Sequence, residues 1–160
     1  MTDEAKVNFT VHNIYVKDIS FEAPHSPKVF TFDWKPKLEF EIQMGRAKLE
    51  GALHEVVMGI TVNVSIEQTD VAVPEKLMAF LVEVKQAGIF LLEGISDPQQ
   101  IDYILSTAAP TILFPYARQV ISNLVTQGGF PQLVIPPMNF EAMYQQHLEE
   151  ESQKSKASNA

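Results

Sequence analysis

The four histidines are the side chains best suited to bind a metal ion or to move a proton near neutral pH. They fall on segments predicted as strand, loop, strand and helix: His12, His25, His54 and His147. No two share the spacing on one helix that a bound metal requires, and a chain without cysteine has no thiolate ligand for zinc. We therefore expect no metal centre and no cofactor, with the histidines in surface or loop positions.

Other arrangements that support catalysis are also incomplete. Ser96 lacks the second glycine of a nucleophile elbow and is better placed as part of a helix entry. Gly128 and Gly129 are not followed by a helix that could hold phosphate, so they are expected to end a helix. Glu39 and Glu41 share one face of a predicted strand along its solvated edge, where no burial would perturb their pKa values. The sequence therefore predicts that the protein is not an enzyme.

Length and charge restrict the class of protein further. A chain of 160 residues without cysteine fits one domain that forms no disulfides, expected over residues 1–151 with a disordered tail at 152–160. Twelve basic against twenty acidic residues give a net charge of -8, which disfavours nucleic acid and favours a basic partner surface. Acidity that serves only solubility remains the alternative. No uncharged apolar run approaches the roughly 18 residues of a membrane span, and the first residues are polar and acidic, so we expect a soluble, cytoplasmic protein.

The first half of the chain has the period-two alternation of apolar residues that is typical of strands. Three such runs are present: residues 7–16, 38–42 and 56–66. A fourth run, residues 77–84, is apolar on both faces apart from Glu83, so we expect a strand that is covered on both sides. A change of phase near Asn13 predicts a bulge in the first run. The short connections between the last three runs favour an antiparallel meander.

The second half has helix signals, so the chain as a whole is expected to have an α+β fold. Asp97 can cap a first helix that Pro110 ends, and Pro115 can begin a second helix that Gly128 stops. Asn139 can cap a third helix that runs to about residue 151.

Residues 18–36 do not fit either pattern. This predicted loop contains three prolines and four aromatic residues: Phe21, Phe30, Phe32 and Trp34. Further aromatic residues lie near the later prolines: Phe114, Tyr116, Phe130, Phe140 and Tyr144. Each ring taken singly is expected to pack into the core. Together, however, the rings suggest an apolar groove that binds extended peptide. The residues alone thus point to a peptide-binding module.

Three stretches are similar to the SecB family of protein-export chaperones. Residues 14–24, Ile-Tyr-Val-Lys-Asp-Ile-Ser-Phe-Glu-Ala-Pro, resemble the opening signature of that family. Residues 112–118 with 129–133 resemble its helix and helix-connecting loop, and residues 137–140 resemble the entry to its last helix. The resemblance implies a four-stranded antiparallel sheet with helices packed on one face, assembled as a dimer of dimers. It also implies an ATP-independent holdase that keeps unfolded precursor proteins competent for translocation and delivers them to the SecA ATPase.

The same resemblance implies three sets of site residues. The peptide groove is expected to use Phe21, Pro24, Phe30, Trp34, Phe130 and Phe140. The SecA-binding surface is expected to use Asp18, Glu22, Leu81 and Glu83. The positions associated with assembly of the homotetramer are Val82, Val84 and Gln86. Two alternatives stay open: a SecB-like chaperone dedicated to a toxin-antitoxin partner, and a small ligand-binding domain or hydrolase that uses the cleft.

Overall fold

The computed structural model describes residues 6–68 and 71–159. Four strands are followed by two helices: β1 (Asn8–Glu22), β2 (Pro36–Lys48), β3 (Leu53–Gln68), β4 (Glu75–Glu93), α1 (Pro98–Gln127) and α2 (Phe140–Ser158). A single turn of 3-10 helix, Lys28–Thr31, lies between β1 and β2. The predicted α+β fold is confirmed.

The strands form one antiparallel sheet in the order β1-β4-β3-β2. The meander of β2, β3 and β4 is as expected, and β1 returns to lie beside β4. Register shifts in β1 fall between Val11 and Asn13 and between Val16 and Asp18. The first of these confirms the bulge predicted near Asn13.

The core lies between one face of the sheet and α1. Alternate residues of β3 are buried there because a strand turns successive side chains to opposite faces: Val56, Met58, Ile60, Val62, Val64 and Ile66. The buried residues of α1 include Leu105, Leu113 and Ile121, and they belong to the same apolar core. We call the opposite side of the sheet, which no helix of the described chain covers, the uncovered face.

The two helices expected to be separated at Pro110 and Pro115 are one continuous helix. A proline inside a helix removes one backbone hydrogen bond and costs about 3 kcal/mol. Here the residues around both prolines are buried against the core, among them Ala109, Leu113 and Ala117. Packing of this face outweighs the local cost, so the predicted break is wrong.

All four strands are longer than expected. β2 spans Pro36–Lys48 and β3 spans Leu53–Gln68, against predicted runs at 38–42 and 56–66. β1 continues to Glu22, so residues 18–22 are strand and the connecting segment is shorter than predicted. β4 continues to Glu93, and its buried positions run without a break from Val84 through Gln86 to Phe90 and Leu92. Apolar residues on the other face, such as Ile89 and Leu91, obscure this alternation in the sequence.

The last helix is also longer than expected. α2 continues through Ser158, so the predicted end near Glu151 is wrong and residues 152–158 are helical instead of a disordered tail. The stretch is rich in good helix formers, and His147 pairs with Glu151 one turn ahead at 3.1 Å. Ala160 lies outside the described residues.

Candidate functional site

Four aromatic rings meet around Phe130, and we call the five rings together the Phe130 cluster. Its members are Phe21, Phe30, Trp34, Phe80 and Phe130. The ring centroid of Phe130 lies 4.9 Å from that of Phe80, 5.1 Å from Phe30 and 5.8 Å from Trp34. These separations are typical of offset and tilted aromatic packing. Four of the six predicted groove residues are therefore brought together, and they come from three different parts of the chain.

Exposure divides the Phe130 cluster into a base and a surface. Phe130 is 4% exposed and Phe80 is 1% exposed, so these two rings belong to the core. Phe30 is 50% exposed and Trp34 is 37% exposed. The cluster thus presents two aromatic rings to solvent on a firmly packed base.

The segment between β1 and β2, residues 23–35, positions both exposed rings, and we call it the crossover segment. Val29 is buried in the core and its N–H donates to the carbonyl oxygen of His25 at 2.8 Å. Phe32 N–H donates to Val29 O at 3.2 Å, which closes the short helical turn. Val29 thus anchors the segment, and the turn places Phe30 beside Phe130.

Two glycines at the end of α1 allow the rings to approach. Gly128 is the C-cap of α1, as its predicted role at a helix end requires. A Cβ atom at this position would collide with the ring of Phe21. Gly129 has φ +88, and a Cβ there would lie 3.2 Å from Phe30 Cζ. Both positions therefore serve the cluster as well as the helix end, a role that the sequence did not indicate.

Phe80 is the cluster member that sequence reasoning missed. It lies in the predicted fourth strand, in a run apolar on both faces where nothing distinguishes a site residue from the core. Its partners Phe21 and Phe130 lie 59 and 50 residues away along the chain, so only the fold brings them together.

The other two predicted groove residues lie elsewhere. Pro24 is exposed in the crossover segment and has no part in the ring contacts described above. Phe140, at the start of α2, is buried and packs edge-on against Phe114 with centroids 5.8 Å apart. It lines a separate cleft of about 430 Å³ between β2, α1 and α2.

A polar network crosses this second cleft. Asp102 accepts a hydrogen bond from Arg46 Nη2 at 2.6 Å and another from the Tyr144 hydroxyl at 2.9 Å. Outside this cleft, a further hydrogen bond between α1 and α2 runs from the Tyr103 hydroxyl to Glu141 at 2.8 Å. Burial, followed by the hydrogen bond to Asp102, raises the pKa of Tyr144. One carboxylate thus joins β2, α1 and α2.

The four residues expected to contact SecA share the uncovered face. Glu22 pairs with Leu81 and Ser20 pairs with Glu83 across the β1–β4 ladder. Asp18 lies opposite Lys85 on the same face, two residues along β1 from Ser20. The structure brings the three predicted carboxylates and Leu81 into one patch, of which Asp18, Glu22 and Glu83 are exposed.

The three residues expected at the subunit interface lie on the opposite face of β4. Val82, Val84 and Gln86 are all buried within the single chain beneath α1. Gln86 Nε2 donates to Tyr15 O at 3.1 Å, while its Oε1 has no partner among the described residues. Because these side chains are buried within one chain, they cannot contact another subunit directly. Any effect on assembly must act through neighbouring residues.

A second polar group lies further along the uncovered face. Glu55 accepts hydrogen bonds from the Tyr15 hydroxyl and from Lys17 Nζ, the latter at 3.1 Å. Burial, followed by the hydrogen bond to Glu55, raises the pKa of Tyr15 to about 12. The same hydrogen bond is the largest cause of a lowered pKa at Glu55.

Comparison with known proteins decides the family. A family model described as preprotein translocase subunit SecB matches residues 2–151. The chain belongs to the SecB family. A protein-export protein SecB of Legionella pneumophila is 44% identical over 158 residues, which cover 99% of this chain and 89% of the relative. A protein-export protein SecB of Hydrogenovibrio crunogenus is 40% identical over 148 residues, covering 92% of this chain and 93% of the relative.

A solved structure supports the same fold. A Mycobacterium tuberculosis SecB-like chaperone, in complex with a ChAD peptide from the HigA1 antitoxin, superposes with a TM-score of 0.65. The match covers 82% of this chain and 91% of that chain at 12% sequence identity. At this identity the likeness shows the fold alone.

SecB proteins are protein-export chaperones rather than enzymes, and the expectation of a chaperone without enzymatic activity is confirmed by the family. Among the described residues no group of three potential metal ligands comes together. None of the helices described is long and apolar enough to cross a membrane.

Proposed function

We propose that this SecB-family chain is an ATP-independent holdase that keeps precursor proteins unfolded and delivers them to SecA in the cytoplasm. The observation that carries the proposal is the Phe130 cluster, with the rings of Phe30 and Trp34 exposed on a buried aromatic base. Aromatic rings offer large apolar contact area and lose little conformational freedom on binding. Such a surface binds apolar segments of many sequences, as a holdase requires.

The two exposed rings of the Phe130 cluster do not narrow the choice of client. The side chain of Phe30 has no polar atom, and that of Trp34 has one polar group, the indole N–H. A surface of this kind selects by apolar area instead of by hydrogen-bond pattern. This supports unfolded polypeptide as the ligand in preference to a defined small molecule.

Delivery to SecA is assigned to the patch on the uncovered face. Its exposed carboxylates Asp18, Glu22 and Glu83 suit a basic partner surface, as does the net charge of -8. The patch lies on the side of the sheet opposite the rings of the Phe130 cluster, because Phe21 alternates with Ser20 and Glu22 along β1. A client and SecA could therefore be bound at the same time.

Assembly into a homotetramer forms part of the proposal. β1 is an edge strand. Its face on the same side of the sheet as α1 carries three apolar residues that are each at least 40% exposed: Val11, Val16 and Ile19. A long edge with exposed apolar residues needs a covering partner. Val82, Val84 and Gln86 would influence assembly by determining how α1 packs on the sheet.

A chaperone dedicated to a toxin-antitoxin pair would share this fold, as the mycobacterial structure does. The relatives at 40–44% identity are named protein-export proteins, which favours the general export chaperone.

Native mass spectrometry with a denatured precursor tests the proposal. We expect a tetramer that binds the unfolded chain saturably without ATP and that does not bind the same precursor once it has folded. A monomer that ignores the unfolded chain would contradict the proposal.

A further inference from the structure

The crossover segment is tied to the start of β4 by one ion pair. Lys28 Nζ lies 2.8 Å from Glu75 Oε1 and 3.1 Å from Glu75 Oε2. Lys28 begins the 3-10 turn and stands two residues before Phe30, and Glu75 is the first residue of the strand that carries Phe80. The ion pair thus joins the two elements whose rings meet on Phe130.

This ion pair has no polar substitute in the described part of the chain. The backbone hydrogen bonds of residues 23–35 all close within the segment, and Thr31 Oγ1 donates to Lys28 O, also within it. Besides the ion pair, the segment is held to the body by the buried side chain of Val29, by the partly buried Ala23 and Phe32, and by the ring contacts of Phe30 and Trp34 with Phe130. The orientation of Phe30 and Trp34 therefore depends on these apolar contacts and on the charge pair.

The geometry points to Lys28 and Glu75 as positioning residues for the exposed aromatic surface. Their ion pair holds the crossover segment so that Phe30 and Trp34 rest on Phe130 and keep their outer faces toward solvent. A surface already ordered binds an unfolded chain more tightly, because less freedom is lost on binding. The inference rests on the proposed function, since it names the contact that prepares the client site.

Charge reversal tests the inference in the full-length protein. The variants are Lys28→Glu, Glu75→Lys and the double swap, and the probe is a reduced, carboxymethylated lactalbumin that stays unfolded. We expect each single reversal to weaken binding at low ionic strength by about two- to fivefold, the range of an exposed ion pair. The double swap should restore the affinity, and added salt should reduce the difference between wild type and the single variants.

Lys37→Glu is the matched control. It makes the same charge change at the start of β2, at a lysine for which no ion pair is recorded among the described residues. The control should bind the probe as the wild type does, which separates loss of the ion pair from a general effect of charge on the probe.

Trp34 supplies a readout that needs no client, because it is the only tryptophan in the chain. Acrylamide quenching of its fluorescence should increase in both single variants and return to the wild-type value in the double swap. Unchanged quenching and unchanged or tighter binding in the single variants would overturn the inference. A wild-type protein that does not bind the lactalbumin would instead contradict the proposed function, and the quenching data would still decide the role of the ion pair.

Discussion

The hydroxyl of Tyr144 donates a 2.9 Å hydrogen bond to the carboxylate of Asp102. This bond joins α2 to α1, and Arg46 on β2 contacts the same carboxylate at 2.6 Å. Tyr103 on α1 also donates to Glu141 in the first turn of α2, whereas the polar contacts C-terminal to Tyr144 lie within α2 itself. The first turns of α2 therefore hold this helix in place.

Removing the Tyr144 hydroxyl should loosen α2. Tyr144→Phe keeps the ring but removes a hydrogen bond to a charged group, and we expect the free energy of unfolding to fall by about 1 kcal/mol. Urea unfolding at a fixed protomer concentration measures this, and faster amide exchange over the first turns of α2 should accompany it. Tyr116→Phe is the control, since its exposed hydroxyl has no recorded partner in the described chain. Equal effects of the two substitutions would contradict the anchoring role.

The exposed and buried rings of the Phe130 cluster should respond differently to truncation. Phe30→Ala and Trp34→Ala should each weaken binding of an unfolded chain by about tenfold, as expected for aromatic contact residues, with a small effect on stability. Phe130→Ala should instead lower the free energy of unfolding by about 3–5 kcal/mol, because it leaves a cavity in the core. Titration of a denatured precursor and urea unfolding measure the two effects.

Leu49→Ala controls for general loss of exposed apolar area, because Leu49 is 39% exposed in the turn between β2 and β3. It should leave client binding unchanged. If Trp34→Ala and Phe30→Ala bind clients as the wild type does while the tetramer persists, the client site lies elsewhere.

Reversing one charge of the patch on the uncovered face should separate delivery of the client to SecA from binding of the unfolded client. Glu83→Lys should weaken SecA binding, mainly through slower association, and should leave suppression of aggregation unchanged. Surface plasmon resonance with SecA and a light-scattering assay with an unfolded client measure the two activities. Loss of both together, with loss of the tetramer, would show that Glu83 acts in assembly.

Glu93→Lys is the matched control for that experiment. Glu93 lies on the same strand, is exposed, and is ten residues from Glu83, so it points to the same face near the other end of β4. The same charge change at this distance should leave SecA binding close to that of the wild type.

Tyr15 should make stability depend on alkaline pH. Its folded-state pKa is raised to about 12 from the usual 10, so this contribution is fully present below pH 10. Between pH 10 and 12 the unfolded state loses the proton more readily, and stability should fall as pH rises through that window. Tyr15→Phe should remove this part of the dependence. Urea midpoints at pH 9 and pH 11 for both proteins measure it, and an identical loss in both would contradict the assignment.

Sequence patterns predicted the sheet well because strand alternation is a local property. The alternation of β3 and the phase change in β1 correspond to a buried strand face and to a bulge. The prolines of α1 misled the same reasoning, since their local cost is known from sequence but the packing that offsets it is not. The sequence also indicated helix starts correctly at Asp97 and Asn139, where each side chain caps its helix.

The amino-acid sequence by itself determined the strands, the caps, the acidic charge and the supply of aromatic rings near the crossover segment. Only the tertiary structure decided which rings meet: it placed Phe80 at the base of the Phe130 cluster and moved Phe140 to a different cleft. It also decided that β1 lies beside β4, which brings Glu22 opposite Leu81 on the uncovered face. The physical reason is that periodicity reports which face of an element is apolar, whereas contacts between distant residues depend on strand pairing and on how helices pack across the sheet.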